Sequence, residues 1–254
     1  MSQKPNYGFP LSFIIVQIFL ILLIVLVLIM FILSENHIFT LLIAGSSILF
    51  ISLLFGIIFF NKHFLKNRLK LLNKMIKIAN LKGNETVLDL GTGSGFLMIG
   101  FAKKLKYGKS IGVDKYSFKS DDLITKIFAF IRINFIGNTL KIVKNNVKIE
   151  KVEDKCEILQ ADITKKLNFP DRYFDIIVSC QFFYCIYNKK RQIIYEEVNR
   201  ILKKGGKIIF FESKSFMDWD INELKVFFEN IGYNVELTKI NEFKKCIILS
   251  GQKK

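Results

Sequence analysis

Thr86-Val87-Leu88-Asp89-Leu90-Gly91-Thr92-Gly93-Ser94-Gly95, followed by Phe96-Leu97-Met98-Ile99, is the stretch on which the fold turns. A short β-branched and aliphatic run ends in a glycine-rich bend and hands over to apolar residues at helical spacing, which reads as strand, loop and helix. The glycines let the backbone approach a ligand closely, and the helix start offers unpaired N–H groups. Ser110-Ile111-Gly112-Val113-Asp114 reads as a second strand ending in an acid, placed where a doubly wound α/β fold sets the carboxylate that accepts ribose hydroxyls. A dinucleotide would want a small residue at the sixth position of Gly-x-Gly-x-x-Gly, and Phe96 stands there. Asp89, two residues ahead of the first glycine, is poorly suited to a pyrophosphate but well suited to a sulfonium cofactor carrying an ammonium group.

Outward from this unit, helix patterns at 96–106, 140–147, 189–202 and 220–231 alternate with strands at 86–89, 110–114, 156–160, 174–179 and 206–212. That alternation predicts right-handed crossovers and a parallel sheet with helices on both faces. The chain has 254 residues, is 51% hydrophobic and holds only 3 Pro and 15 Gly, which excludes a disordered or collagen-like chain. Four cysteines at 156, 180, 185 and 246 have neither the density of a disulfide scaffold nor a metal-binding spacing, so they read as reduced thiols.

The net charge of +16 is unevenly placed: residues 1–61 hold only Lys4 and Glu35, so the excess lies in 62–254. Leu11 to Leu33 and Ile38 to Phe60 are each 23 residues long with few polar breaks. A spanning helix needs ~20 apolar residues, so 1–61 reads as a transmembrane helical hairpin with spans at about 11–33 and 38–60. The Ser34–His37 connection carries no Lys or Arg, whereas Lys62, Lys66, Arg68, Lys70, Lys74 and Lys77 follow the second span. Basic flanks stay on the cytoplasmic side, so both termini and the following domain are expected in the cytoplasm, making this an integral membrane protein. Residues 62–80 read as a basic amphipathic connecting helix with an apolar stripe of Leu65, Leu69, Leu72, Met75, Ile76 and Ala79. That stripe would pack either on anionic lipid or on the sheet, the second being favoured.

The quoted stretch resembles the first signature of the class I S-adenosylmethionine-dependent methyltransferases. Gly112-Val113-Asp114 resembles that family's ribose-binding strand end, and Glu157-Ile158-Leu159-Gln160-Ala161-Asp162 the strand whose acid meets the adenine amino group. Asn168 to Ser179 is similar to the fourth strand and its lead-in, and Arg200-Ile201-Leu202-Lys203-Lys204-Gly205-Gly206-Lys207 to the turn into the fifth. The resemblance implies a doubly wound, seven-stranded, mostly parallel Rossmann-like sheet over 81–254, closed by a hairpin of Tyr233–Leu237 and Cys246–Ser250. It implies S-adenosylmethionine as cofactor, with Gly91, Thr92, Gly93 and Gly95 shaping the backbone around the methionine part and Asp89 assisting the ammonium. Asp114 would take the ribose, Asp162 the adenine, and Lys115, Ile163 and Ser179 would complete the cofactor contacts.

Two departures from that family stand out. An apolar insertion at about 115–138 delays the helix that should follow Asp114, and it reads either as a lid touching the bilayer or as ordinary packing. After the fourth strand comes Ser179-Cys180-Gln181-Phe182-Phe183-Tyr184-Cys185, not the Asn/Asp-Pro-Pro-Tyr of many enzymes that act on nucleic-acid amino groups. No histidine lies nearby, so Tyr184 is the candidate catalytic residue, as an acceptor-orienting group or as a pocket wall. The expected partners are the lipid bilayer and a small-molecule or lipid-like methyl acceptor, without specific nucleic-acid binding. A nucleic-acid or protein methyltransferase and a non-catalytic cofactor-binding module are the alternatives. The oligomeric state is left open.

Overall fold

The computed structural model describes residues 5, 7, 22, 24, 25, 63–116, 139–216 and 218–254. The expected span at 38–60, that at 11–33 apart from residues 22, 24 and 25, and most of the 115–138 insertion lie outside these residues. Among the described residues no helix is long and apolar enough to cross a membrane.

Seven strands form one sheet. They are β1 (Thr86–Leu90), β2 (Lys109–Asp114), β3 (Cys156–Gln160), β4 (Phe174–Cys180), β5 (Leu202–Ser213), β8 (Tyr233–Lys239) and β9 (Cys246–Lys253), in the order β3-β2-β1-β4-β5-β9-β8. All neighbours are parallel except β9, which is antiparallel to both β5 and β8. The sheet is therefore mostly parallel, as the strand–helix alternation implies, with β9 as the reversed member of the closing hairpin. A small antiparallel pair of β6 (Ser215–Phe216) and β7 (Trp219–Asp220) after β5 was not foreseen.

Helix α1 covers residues 63–79; α2 (Phe96–Ala102), α3 (Leu140–Ile149), α4 (Asn188–Ile201) and α5 (Ile221–Asn230) follow. Alternate strand residues face opposite layers. On one side Leu88, Ile111, Ile177, Ile208 and Leu249 meet Ile194, Val198, Leu224 and Phe228 of α4 and α5. On the other, Val87, Ile176, Val178, Ile209 and Ile248 meet α1 and α2. Met98 and Ile99 of α2 pack with Val143 and Val147 of α3.

Helix α1 packs on the sheet, but its buried stripe differs from the expected one. Leu71, Leu72, Met75 and Ala79 are buried, while Leu65 and Leu69 are 44% and 54% exposed. The reason is Arg68, whose guanidinium lies 4.0 Å from the centre of the Phe96 ring and donates to the Tyr7 carbonyl at 2.6 Å. A flat cation over an aromatic face takes the inward position a leucine would otherwise fill.

Candidate functional site

The site is assembled at the carboxyl ends of β1 to β4. After Leu90 the chain bends so that the N–H groups of Gly91 and Thr92 both donate to the Val113 carbonyl on β2, at 2.9 and 3.1 Å. Gly91, Gly93 and Gly95 all have positive φ, +70°, +52° and +84°. At Gly91 the Phe182 ring leaves no room: a Cβ would lie 2.4 Å from its Cδ2. Gly95 caps α2, and a Cβ there would come within 2.8 Å of Val143 Cγ2.

Asp89 lies beneath this loop, 2% exposed. Its Oδ2 accepts from Thr92 Oγ1 at 2.7 Å and from the Met98 N–H at 3.0 Å, tying strand, loop and the first turn of α2 together. Burial pushes its carboxyl up to about 7, against the lowering pull of those two donors. Its visible work is to hold the loop.

Asp114, at the tip of β2, accepts from the Gly93 N–H through Oδ2 at 3.0 Å and from the Tyr116 N–H through Oδ1 at 3.1 Å. The Tyr116 hydroxyl returns to the Gly93 carbonyl at 3.0 Å, so acid, loop and the first residues after β2 form one unit. Tyr116 adopts φ +47° to do this, and burial raises its phenol above the ordinary range.

Lys115 bridges to the next strand tip, its Nζ 3.1 Å from Asp162 Oδ2. Asp162 Oδ1 also accepts from the Thr164 hydroxyl at 2.7 Å and its N–H at 3.1 Å. The Thr164 hydroxyl, aided by Lys115, holds the Asp162 carboxyl down at about 2. Asp89, Gly91, Thr92, Gly93, Gly95, Asp114, Lys115 and Asp162 thus follow one another along the carboxyl edge.

Ile163 and Ser179 are placed differently. Ile163 is 5% exposed in the core under α4, and Ser179 is fully buried near the end of β4. Tyr184 is half-buried in a single 3-10 turn, Phe183–Cys185, beside that strand end.

What holds the turn is a residue the sequence reading missed. Glu212, at the end of β5 and 0% exposed, accepts from the Phe182 N–H at 2.8 Å, with the amides of Phe183 and Tyr184 also favouring its charged form. Burial nevertheless pushes its carboxyl up to about 8. The signal was there: an acid directly after the fully apolar run Ile208-Ile209-Phe210-Phe211, at an inward-facing position of the strand. The thiols of Cys156 and Cys180 are pushed up to about 12 by burial, which leaves them protonated and inert at neutral pH.

Known methyltransferases are similar to parts of this chain. Residues 121–210 match the Methyltransf_11 family, a methyltransferase domain. An uncharacterized methyltransferase of Schizosaccharomyces pombe is 28% identical over 128 residues, covering 50% of this chain and 40% of that protein. An rRNA adenine N-6-methyltransferase of Streptococcus sanguinis is 32% identical over 119 residues, covering 46% of this chain and 47% of that protein. The chain thus spans less than half the length of these curated relatives. Among solved structures, an S-adenosylmethionine-dependent methyltransferase from Aquifex aeolicus superposes with a TM-score of 0.52 at 20% identity, covering 71% of this chain and 88% of that one. The [4+2]-cyclase SpnF superposes at 0.55 with 13% identity, covering 72% and 80%. At these identities the likeness is one of fold, and the cyclase is a reminder that one fold hosts more than one chemistry.

Proposed function

We propose that this chain, which carries a methyltransferase domain of the class I S-adenosylmethionine-dependent fold, is a membrane-anchored enzyme that transfers a methyl group to a small or lipid-like acceptor. The observation that carries the cofactor assignment is the link between Asp114 and Gly93, which makes the ribose acid and the glycine loop a single cradle. The residues fit S-adenosylmethionine. Each Asp114 oxygen receives one backbone N–H, and a carboxylate has about four acceptor sites, so two remain for the ribose hydroxyls. Asp162 is held fully ionised, ready to accept from an adenine amino group.

When bound, the cofactor supplies a methyl group activated on a positive sulfur. Gly91, Thr92 and Gly93 hold the backbone close to the methionine part, Phe182 walls the site beside Gly91, and Tyr184 orients the acceptor. Alignment and exclusion of water supply several kcal/mol when the acceptor atom is already nucleophilic, so no dedicated base is required.

Membrane anchorage rests on the two 23-residue apolar runs and their basic flank. A contact supports the hairpin topology. Tyr7 precedes both runs and Arg68 follows them, yet Arg68 Nη1 donates to the Tyr7 carbonyl at 2.6 Å. The chain leaves and returns to one face of the domain, which is consistent with an even number of crossings, and the basic flank favours the cytoplasm for that side.

A second reading, a nucleic-acid acceptor, is favoured by the net charge of +16 and by the rRNA methyltransferase relative. Ser179-Cys180-Gln181-Phe182 at the end of β4, in place of Asn/Asp-Pro-Pro-Tyr, speaks against it. Incubation of the full chain with labelled cofactor and either membrane extract or RNA separates the two by where label appears. Calorimetric titration of the detergent-solubilised chain tests the cofactor. Asp114→Ala removes charge-assisted bonds of about 1.5–3 kcal/mol each and should weaken binding at least ~10-fold. Equal affinity of variant and wild type would refute the assignment.

A further inference from the structure

Helix α1 runs antiparallel to the parallel strands. Its last residues lie at the amino ends, where Lys207 Nζ at the start of the inner part of β5 donates to the Ala79 carbonyl at 3.0 Å. Its middle and head lie at the opposite end. Lys74 Nζ donates to the carbonyl of Lys239, the last residue of β8, at 2.8 Å, Lys70 pairs with Glu242 in the β8–β9 turn at 2.8 Å, and Arg68 covers Phe96 just after the glycine loop. At ~1.5 Å per residue, residues 63–67 project farther still in that direction. The head of α1 therefore emerges at the carboxyl ends of the strands, the end of the sheet that also carries Asp114 and Asp162.

The apolar run that precedes it ends at Phe60, and only Asn61 and Lys62 separate that run from His63. Two residues span at most about 10 Å even when extended. If 38–60 crosses the bilayer, the head of α1 cannot move away from the membrane surface.

The surface at this end has the matching composition. Leu65 and Leu69, one helical turn apart, are exposed at 44% and 54% beside an exposed Lys66. On the far side of the sheet, Tyr187 at the head of α4 is 70% exposed and is followed by exposed Lys189 and Lys190. Leucine side chains with lysines between them, and a tyrosine with a basic neighbour, are what a face at the head-group level of an anionic bilayer carries.

We propose that the carboxyl end of the sheet lies against the bilayer that anchors the chain, with Leu65, Lys66, Leu69, Tyr187, Lys189 and Lys190 as its lipid contacts, so that the acceptor enters the site from the head-group layer. This rests on the membrane-anchored reading above and adds the direction in which the site opens. It makes an amphiphile that stays in the bilayer the acceptor class, because a water-soluble acceptor would have to enter between protein and lipid.

The test uses the full chain in vesicles of phosphatidylcholine and phosphatidylglycerol, a portion of the lipid being brominated near the top of the acyl chains to quench nearby tryptophan. The native Trp219 is 1% exposed and gives a constant background. Leu69→Trp and Tyr187→Trp report on the proposed face, and Tyr107→Trp reports on the amino end of β2, where Tyr107 is 78% exposed. Leu69→Trp and Tyr187→Trp should lose most of their added emission in brominated vesicles, and Tyr107→Trp should lose none. Loss at Leu69→Trp alone means that the domain lies on its side and overturns the proposal. Loss at Tyr107→Trp, or at no position, overturns it too. Flotation of the same vesicles keeps the two readings apart: a chain that floats without the expected quenching refutes only the orientation, and one that fails to float refutes the anchor and the orientation together.

Discussion

Glu212→Gln isolates the group on which the acceptor side of the site is built. In the unfolded chain this carboxyl titrates near its ordinary 4.5, and in the folded protein burial moves it up to about 8. Between those two values the folded state holds a proton that the unfolded state has released, so stability falls as pH rises. Each unit is worth about 1.36 kcal/mol, so the shift makes the folded state up to about 5 kcal/mol less stable above pH 8 than at pH 4.5. Glutamine keeps an oxygen for the Phe182 N–H but cannot ionise. At pH 5 both proteins carry a neutral side chain here and should differ by no more than about 1 kcal/mol, one neutral hydrogen bond. At pH 8.5 the variant should be the more stable by several kcal/mol. Asp89, also raised, titrates in both proteins and cancels in the difference. Urea unfolding can be followed by Trp219, the single tryptophan, whose ring stacks on Phe183 of the turn that Glu212 holds, 6.0 Å between centres. Parallel stability curves for the two proteins from pH 5 to 8.5 would show that Glu212 does not hold its proton in the folded state.

Gly95→Ala places a Cβ at φ +84° and 2.8 Å from Val143 Cγ2; the combined strain and overpacking should cost about 1–3 kcal/mol in unfolding experiments and weaken cofactor binding by moving the start of α2. Tyr184→Phe keeps the wall and removes the hydroxyl. Methyl transfer should fall by less than ~10-fold with the pH profile unchanged, whereas a loss of ~100-fold or more with a shifted profile would make the hydroxyl a proton carrier.

The parts of the fold that were legible in the sequence are those decided within a few residues. Val87-Leu88 closing on Gly91 and Ile111 to Asp114 closing on an acid are local statements about where an apolar run stops, and at the carboxyl edge of a parallel sheet the stopping point is the site. Asp114, Lys115 and Asp162 came from that rule, and the structure joins them along that edge. Ile163 and Ser179 are buried instead: Ser179 still lies within β4, and Ile163, three residues past the end of β3, packs in the core. Glu212, Phe182 over Gly91 and Tyr7 against Arg68 were beyond such reading: each depends on a partner 30 or more positions away.

The stripe of α1 shows why periodicity alone misplaces residues. An apolar stripe states that something covers it without saying how many things do. From residue 71 onward the sheet covers α1, through Leu71, Leu72, Met75 and Ala79, and there the expected and buried residues largely coincide. Before it Arg68 takes the inward place over Phe96, and Leu65 and Leu69 are left facing out, on a helix whose His63 is two residues from the end of an apolar run long enough to span a bilayer. Packing on the sheet and packing on lipid are therefore compatible for this helix. On the proposed orientation one helix would serve both partners in succession along its length, and the change of partner would fall at the height of the cofactor loop.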